Sequence, residues 1–110
     1  MLLDVRTYTC HPGTINQQLG LYEKLGKEPQ TKHLGRPLAY MKCETGNLNQ
    51  YMHIWVFENA GDREQKRAAM WADPDWLKYT KESAKLGALE KQKNSLWSPI
   101  DFFSEPMTQR

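Results

Sequence analysis

Polar and apolar side chains alternate from Leu2 to Cys10. Leu3, Val5, Thr7 and Thr9 fall on one side and Asp4, Arg6, Tyr8 and Cys10 on the other. A period of two predicts a strand, and Pro12-Gly13 ends it. Thr14, with Gln17 in the capping-box position, predicts a helix start. Ile15, Leu19, Tyr22 and Leu25 then make one apolar stripe, and Gly26 is the expected stop. The stretch from Lys27 to Gly35, punctuated by Pro29 and Gly35, reads as a loop. Leu38 to Glu44 and Leu48 to Glu58 are predicted as strands, and Gly46-Asn47 between them marks a hairpin. Asp62 is the expected cap of a helix over Arg63 to Trp71, with Glu64, Lys66 and Arg67 facing water and Ala68, Ala69 and Trp71 supplying apolar surface. Asp73-Pro74 breaks that helix and starts another, Asp73 as cap and Pro74 in the first turn, running to about Leu89. Ser95 to Phe103 is predicted as the last strand, at an edge or bulged because of Pro99, with Phe102 and Phe103 in a tail as the alternative. Residues 104–110 are expected to form a loose tail.

The order strand, helix, strand, strand, helix, strand is that of a ferredoxin-like, split βαβ α+β domain. Helices cover one sheet face in such a fold. The plainly aliphatic side is expected beneath them: Leu3 and Val5, Ala39, Met41 and Cys43, then Met52, Ile54 and Val56. The other side, with Arg6, Tyr8, Leu38, Tyr40, Tyr51, His53, Trp55 and Phe57, is then expected to be open. So aromatic a surface is too apolar to leave in water. The simplest cover is the same face of a second copy, a homodimer through the open sheet face. Two such faces would enclose a cleft suited to a flat, partly apolar ligand, neutral or anionic.

A chain of 110 residues fits one domain, taken here as residues 2–103. The formal charge of +2 leaves no electrostatic footprint for nucleic acid. No run approaches the roughly 18 apolar residues of a membrane span, and Asp4 and Arg6 interrupt any signal-like start. Two cysteines, Cys10 and Cys43, define no disulfide framework, so a reducing cytoplasm is the expected compartment.

The order and spacing of several motifs resemble the NIPSNAP family. They are Leu3-Asp4-Val5-Arg6-Thr7-Tyr8 before Pro12-Gly13, Gly46-Asn47-Leu48-Asn49, His53-Ile54-Trp55-Val56-Phe57, and Arg63 through Arg67-Ala68-Ala69-Met70 before Asp73-Pro74-Asp75-Trp76. The resemblance covers about residues 2–103 and implies a dimeric α/β barrel of ferredoxin-like subunits. It implies no catalytic set. Animal members are linked to mitochondria through sequences outside this domain, and that role is not carried over. More distant barrel relatives include cofactor-independent monooxygenases, isomerases and haem proteins.

His53 is the leading candidate for chemistry, because an imidazole can act as base or acid near neutrality. First and third strands are neighbours in this topology, so Arg6 and Tyr8 are expected beside it, Arg6 to steady an anion or enolate-like oxygen. Arg6 can equally pair with Asp4, Glu44 or Asp101, and His53 can simply fill an interface. Tyr8, Tyr40, Tyr51, Trp55 and Phe57 are the candidate ligand contacts. Trp71 and Trp76 flank the helix break and are expected to lock its two pieces. No metal site is expected, since His11, His33, His53 and the two cysteines show no ligand spacing, and no cofactor is implied. The expected function is binding of a small, partly apolar or aromatic molecule. A cofactor-independent monooxygenase or isomerase using His53 as base, or a structural dimer without ligand, are the alternatives.

Overall fold

The computed structural model describes residues 1–105. Strand β1 spans Leu2–Cys10, helix α1 Ile15–Leu21, a π-helical turn Tyr22–Gly26 and helix α2 Lys27–Leu34. Strands β2 (Ala39–Lys42) and β3 (Gln50–Phe57) follow, then α3 (Ala60–Trp71), α4 (Pro74–Leu86), β4 (Leu89–Trp97) and a short 3-10 turn at Asp101–Phe103. All neighbours in the sheet are antiparallel, in the order β2-β3-β1-β4. This is the ferredoxin-like arrangement that the element order predicts.

Several boundaries differ from expectation. Lys27–Leu34 is a helix, not a loop. Pro29 lies in its first turn, where a missing amide costs least, and Thr31 Oγ1 donates back to the Lys27 carbonyl at 2.7 Å. Asn59 rather than Asp62 caps α3: Asn59 Oδ1 accepts from Asp62 N at 2.8 Å, while Asp62 Oδ2 accepts from Glu58 N at 3.0 Å. Thr14 makes no side-chain cap and donates to the His11 carbonyl at 2.7 Å instead. Asp73 does cap α4, accepting from Asp75 N at 2.9 Å. That helix ends three residues early, at Leu86, before Gly87, whose φ of 66° is left-handed and favours glycine. The last strand begins at Leu89 and stops before Pro99, so of the expected Ser95 to Phe103 only Ser95 to Trp97 are strand, and Asp101–Phe103 is a 3-10 turn. Of the expected tail, Ser104 and Glu105 are exposed, and residues 106–110 lie outside the described residues.

The larger correction concerns which sheet face the helices cover. Tyr22, Leu34, Met70, Trp76 and Tyr79 from the helical layer pack with Trp55 and Phe57 of β3. Tyr8, Cys10 and Tyr51 form a second cluster with Ile15 and Leu19 of α1. The aromatic face is therefore inside the subunit. The aliphatic face is open, with Leu3, Val5, Met52, Ile54 and Val56 half-buried and Met41 exposed. The grouping of residues by face holds, because register pairs Leu3 with Val56, Val5 with Ile54, Arg6 with His53 and Tyr8 with Tyr51. Their assignment is reversed because polar atoms on the aromatic face need partners that helices supply. Arg63 Nε of α3 donates to buried Asp4 Oδ2 at 3.0 Å. Fully buried Gln18 of α1 donates through Nε2 to Tyr79 Oη at 2.9 Å. A homodimer through the open face would accordingly bury aliphatic residues, and Arg6, Tyr8, His53 and Trp55 cannot line a space between subunits.

Between sheet and helices the joints are specific. His33 Nε2, in the last turn of α2, sits 2.8 Å from Asp73 Oδ2, the cap of α4. That places His33 in a structural contact rather than a free loop. Trp71 and Trp76 meet edge to face with centroids 5.9 Å apart across the helix break, as expected of the pair. Ala68 and Ala69 point to solvent, and Met70 takes the core position instead.

Candidate functional site

A cavity of about 350 Å³ lies between the aromatic face of β1 and β3 and helices α3 and α4. The register explains its floor: Arg6 opposes His53 and Tyr8 opposes Tyr51 on the two central strands. Tyr22 enters from the π-helical turn, Arg67 and Trp71 from α3, and Trp76 and Tyr79 from α4. π-Helical turns displace side chains from the regular helical stripe and recur at functional positions. Here the turn brings Tyr22 Oη to Gln30 Oε1, donating at 2.6 Å, and to within 2.9 Å of Tyr40 Oη. A second hollow of about 280 Å³, bordered by Tyr40, Met41 and Met52, adjoins the same Tyr22, Tyr51 and His53.

The charge is concentrated at one end. Arg6 donates through Nη1 to Asp4 Oδ2 at 3.3 Å and through Nε to Tyr8 Oη at 3.1 Å. With its amide turned to satisfy both ends, Asn94 Oδ1 of the neighbouring β4 accepts from Arg6 Nη1 at 3.2 Å. Burial works against the Arg6 charge, but Tyr8 and Asp4 outweigh it and hold the guanidinium above its ordinary range. Arg67 is pushed the other way, by burial and then by repulsion from Arg6 and Arg63.

His53 is the centre of an aromatic cage. The Tyr22 and Tyr40 rings lie 5.0 Å from it, Tyr8 5.3 Å and Tyr51 5.6 Å, centroid to centroid. The imidazole is 3% exposed, and its Nδ1 has no hydrogen-bond partner among the described residues. Burial, followed by the Arg6 charge, lowers its pKa to about 4. It is therefore neutral at pH 7 and can accept or donate one hydrogen bond without carrying charge. Burial raises the Tyr22, Tyr51 and Tyr79 phenols, Tyr79 to about 12, so all three are neutral donors.

Of the residues singled out from sequence, Arg6, Tyr8, Tyr51 and His53 line the cavity. Tyr40 borders the adjoining hollow. Trp55 and Phe57 belong to the packed core and do not line the cavity. Arg67, Trp76, Tyr79 and Gln30 were not anticipated, and Arg67 was expected in water. The available signal was the spacing of Arg63 and Arg67, one helical turn apart and so on one face, together with Asp4 on the same strand face as Arg6.

Comparison with known proteins settles the family. The family model described as NIPSNAP matches residues 3–104. The chain belongs to the NIPSNAP family. It is 27% identical over 75 residues to Protein NipSnap of Drosophila melanogaster, a match covering 68% of this chain and 27% of that protein. It is 26% identical over 95 residues to the NipSnap homolog of Dictyostelium discoideum, covering 81% of this chain and 40% of that one. The chain thus spans less than half the length of these relatives. Among solved structures, a protein from Agrobacterium tumefaciens is 34% identical with a TM-score of 0.85, over 94% of this chain and 97% of that one. An uncharacterized NIPSNAP domain protein from Burkholderia xenovorans is 26% identical with a TM-score of 0.86, over 96% and 100%. A structure described as an antibiotic biosynthesis monooxygenase shares the fold, with a TM-score of 0.63 at 15% identity over 91% and 99%. No helix among the described residues of this NIPSNAP chain is long and apolar enough to cross a membrane.

Proposed function

We propose that this NIPSNAP domain binds a small, partly apolar molecule with a flat body in the cleft between its sheet and helices α3 and α4. The observation that carries the reading is the buried, unpartnered Nδ1 of His53 beside a cavity of about 350 Å³ walled by aromatic rings. An unsatisfied polar atom in an apolar site costs about 1–3 kcal/mol, and a ligand that hydrogen-bonds to it recovers that cost. The volume lies at the small end of ordinary ligand sites. Tyr8, Tyr51 and Trp76 offer flat apolar contacts, and Tyr40 borders the mouth on the side of β2.

The same site favours one further reading. A neutral His53 next to Arg6 is arranged as a base beside an oxyanion-stabilising guanidinium, which suits a cofactor-independent monooxygenase or isomerase. A pKa of about 4 makes His53 a weak base in the empty site, so binding is the primary reading and catalysis the second.

The open aliphatic face supports a homodimer. Leu3, Val5, Met41, Met52, Ile54 and Val56 form a contiguous apolar surface on one sheet face, and a second copy of the same face is its simplest cover. In this arrangement each subunit keeps its own cleft. A cytoplasmic setting accompanies the reading, on the strength of the free thiols of Cys10 and Cys43.

Native mass spectrometry of freshly purified protein, followed by denaturing extraction, tests the primary reading. An extra mass that is released on unfolding is the expected result. A dimer of bare mass that also binds none of a panel of aromatic compounds would refute it and leave the structural dimer.

A further inference from the structure

Two guanidinium groups hold a single carboxylate behind one end of the cleft, and a third, Arg67, lines the cleft with Arg6. Arg6 and Arg63 both donate to Asp4 Oδ2, at 3.3 and 3.0 Å. Arg67, one turn after Arg63, has no carboxylate within ion-pair distance among the described residues. The cluster therefore keeps a formal charge of +2, three guanidiniums against one carboxylate. Among the described residues that line the cavity there is no Asp or Glu, so nothing in its wall balances that charge. Arg6 uses Nε and Nη1 within the protein, and its Nη2 donates to nothing among the described residues. Arg67 contributes a half-buried guanidinium to the same wall, weakened by burial and by its two neighbours yet still cationic.

Such a cluster is costly to hold beneath two helices unless an anion joins it. A guanidinium presents parallel N–H donors that match the two oxygens of a carboxylate. The rest of the cavity has a different character. Along β1 the wall passes from Arg6 to Tyr8, and Leu89 at the start of β4 lines the far side. Ser83, Ala84 and Gly87, from the C-terminal end of α4, border that far end. The carbonyl end of a helix carries partial negative charge and disfavours an anion. One end of the cleft therefore attracts negative charge, and the other accepts an uncharged body against Tyr8, Tyr51 and Tyr79.

We propose that the ligand of this cleft is a flat organic carboxylate, its carboxylate held by Arg6 and Arg67 and its apolar body directed along β1 toward the C-terminal turn of α4. The inference rests on the ligand-binding reading of the cleft and narrows it to one chemical class. Bound negative charge at Arg6 would also offset one of the two causes that lower the His53 pKa, which is a consequence of the geometry and not its basis.

Calorimetric titration at pH 7 and low salt tests it with 2-naphthoate and benzoate, each compared with its uncharged amide. The carboxylates are expected to bind at least tenfold more tightly than their amides. Arg67→Gln should remove at least tenfold of the carboxylate affinity and weaken amide binding far less, and Arg67→Lys should fall between. Arg67 is the residue to change because Arg6 also holds Asp4, and far-ultraviolet circular dichroism should confirm that the variants stay folded. Equal affinity for acid and amide, or no effect of Arg67→Gln, would overturn the carboxylate assignment and leave the binding reading standing. Binding of neither acids nor amides would overturn both.

Discussion

Arg63 Nε donates to Asp4 Oδ2 over 3.0 Å, joining α3 to the inner face of β1 through a carboxylate that is completely buried. This contact fixes which way the sheet faces. Asp4 and Arg6 both lie on the aromatic side of β1, so a helix that offers arginine to Asp4 must cover that side. Asp4→Ala would leave Arg6 buried without its carboxylate, and breaking a buried pair costs about 3–5 kcal/mol. Urea unfolding should show a loss of that order, with Asp4→Asn losing less because the amide oxygen still accepts from Arg63. A loss within about 0.5 kcal/mol, as at ordinary surface positions, would mean the ion pair does not organise the layer.

His53 predicts an acid limb in stability. Its pKa falls from 6.5 in the unfolded chain to about 4 in the fold, through burial and then the Arg6 charge. The unfolded chain therefore binds the proton first as pH drops. Stability is full above pH 6.5, declines as the pH falls toward 4 and gains no further loss from this group below that. The contribution is about 3 kcal/mol at most. Unfolding measured from pH 7.5 to 4 should be steeper for the native protein than for His53→Gln, and parallel curves would show that the imidazole is not buried neutral.

Gly26 closes the π-helical turn against two aromatic rings. A Cβ there would meet Tyr22 Cδ1 and the Tyr79 ring at 2.9 Å, closer than side chains pack. Gly26→Ala should cost about 1–3 kcal/mol as an overpacking change and displace Tyr22 from Gln30. Thermal unfolding reads the first effect. Tyrosine fluorescence or ring NMR shifts read the second, and a variant as stable as the parent would contradict the tight approach.

The open sheet face predicts a separable assembly. Ile54→Lys puts a charge in the centre of the aliphatic surface without touching the cleft side of β3. Sedimentation velocity should report a dimer for the parent and a monomer for the variant. A parent that sediments as a monomer at tens of micromolar would remove the two-fold model.

How much of this was legible in the sequence depends on how local each determinant is. Strand β1, the Asp73-Pro74 break and the alternation in β3 are written in residues two to four positions apart, and they were readable. Lys27–Leu34 was not, because a polar helix with Pro29 in its first turn carries no apolar stripe. Strand β4 was hidden for a related reason: Lys91, Gln92, Lys93, Asn94 and Ser95 have no hydrophobic period, and backbone pairing with β1 holds them. The choice of buried face was misread because both faces are apolar. What decides it lies on other elements, in Gln18, Gln30, Arg63 and Ser83, whose partners become apparent only when the layers meet. The candidate cluster of Arg6, Tyr8, Tyr51 and His53 survived that reversal because strand register alone brings those four together. Arg67, Trp76 and Tyr79 needed the helical layer.

The central claim is that the ligand site lies within each subunit, between sheet and helices. Side-chain NMR of the protein saturated with 2-naphthoate tests it most directly. The account predicts shifts, and contacts to the naphthalene ring, at His53, Tyr8, Tyr51, Trp76 and Arg67, with the methyl groups of Val5, Ile54 and Val56 unmoved. Contacts confined to Val5, Ile54 and Val56 would place the ligand on the open face and contradict it.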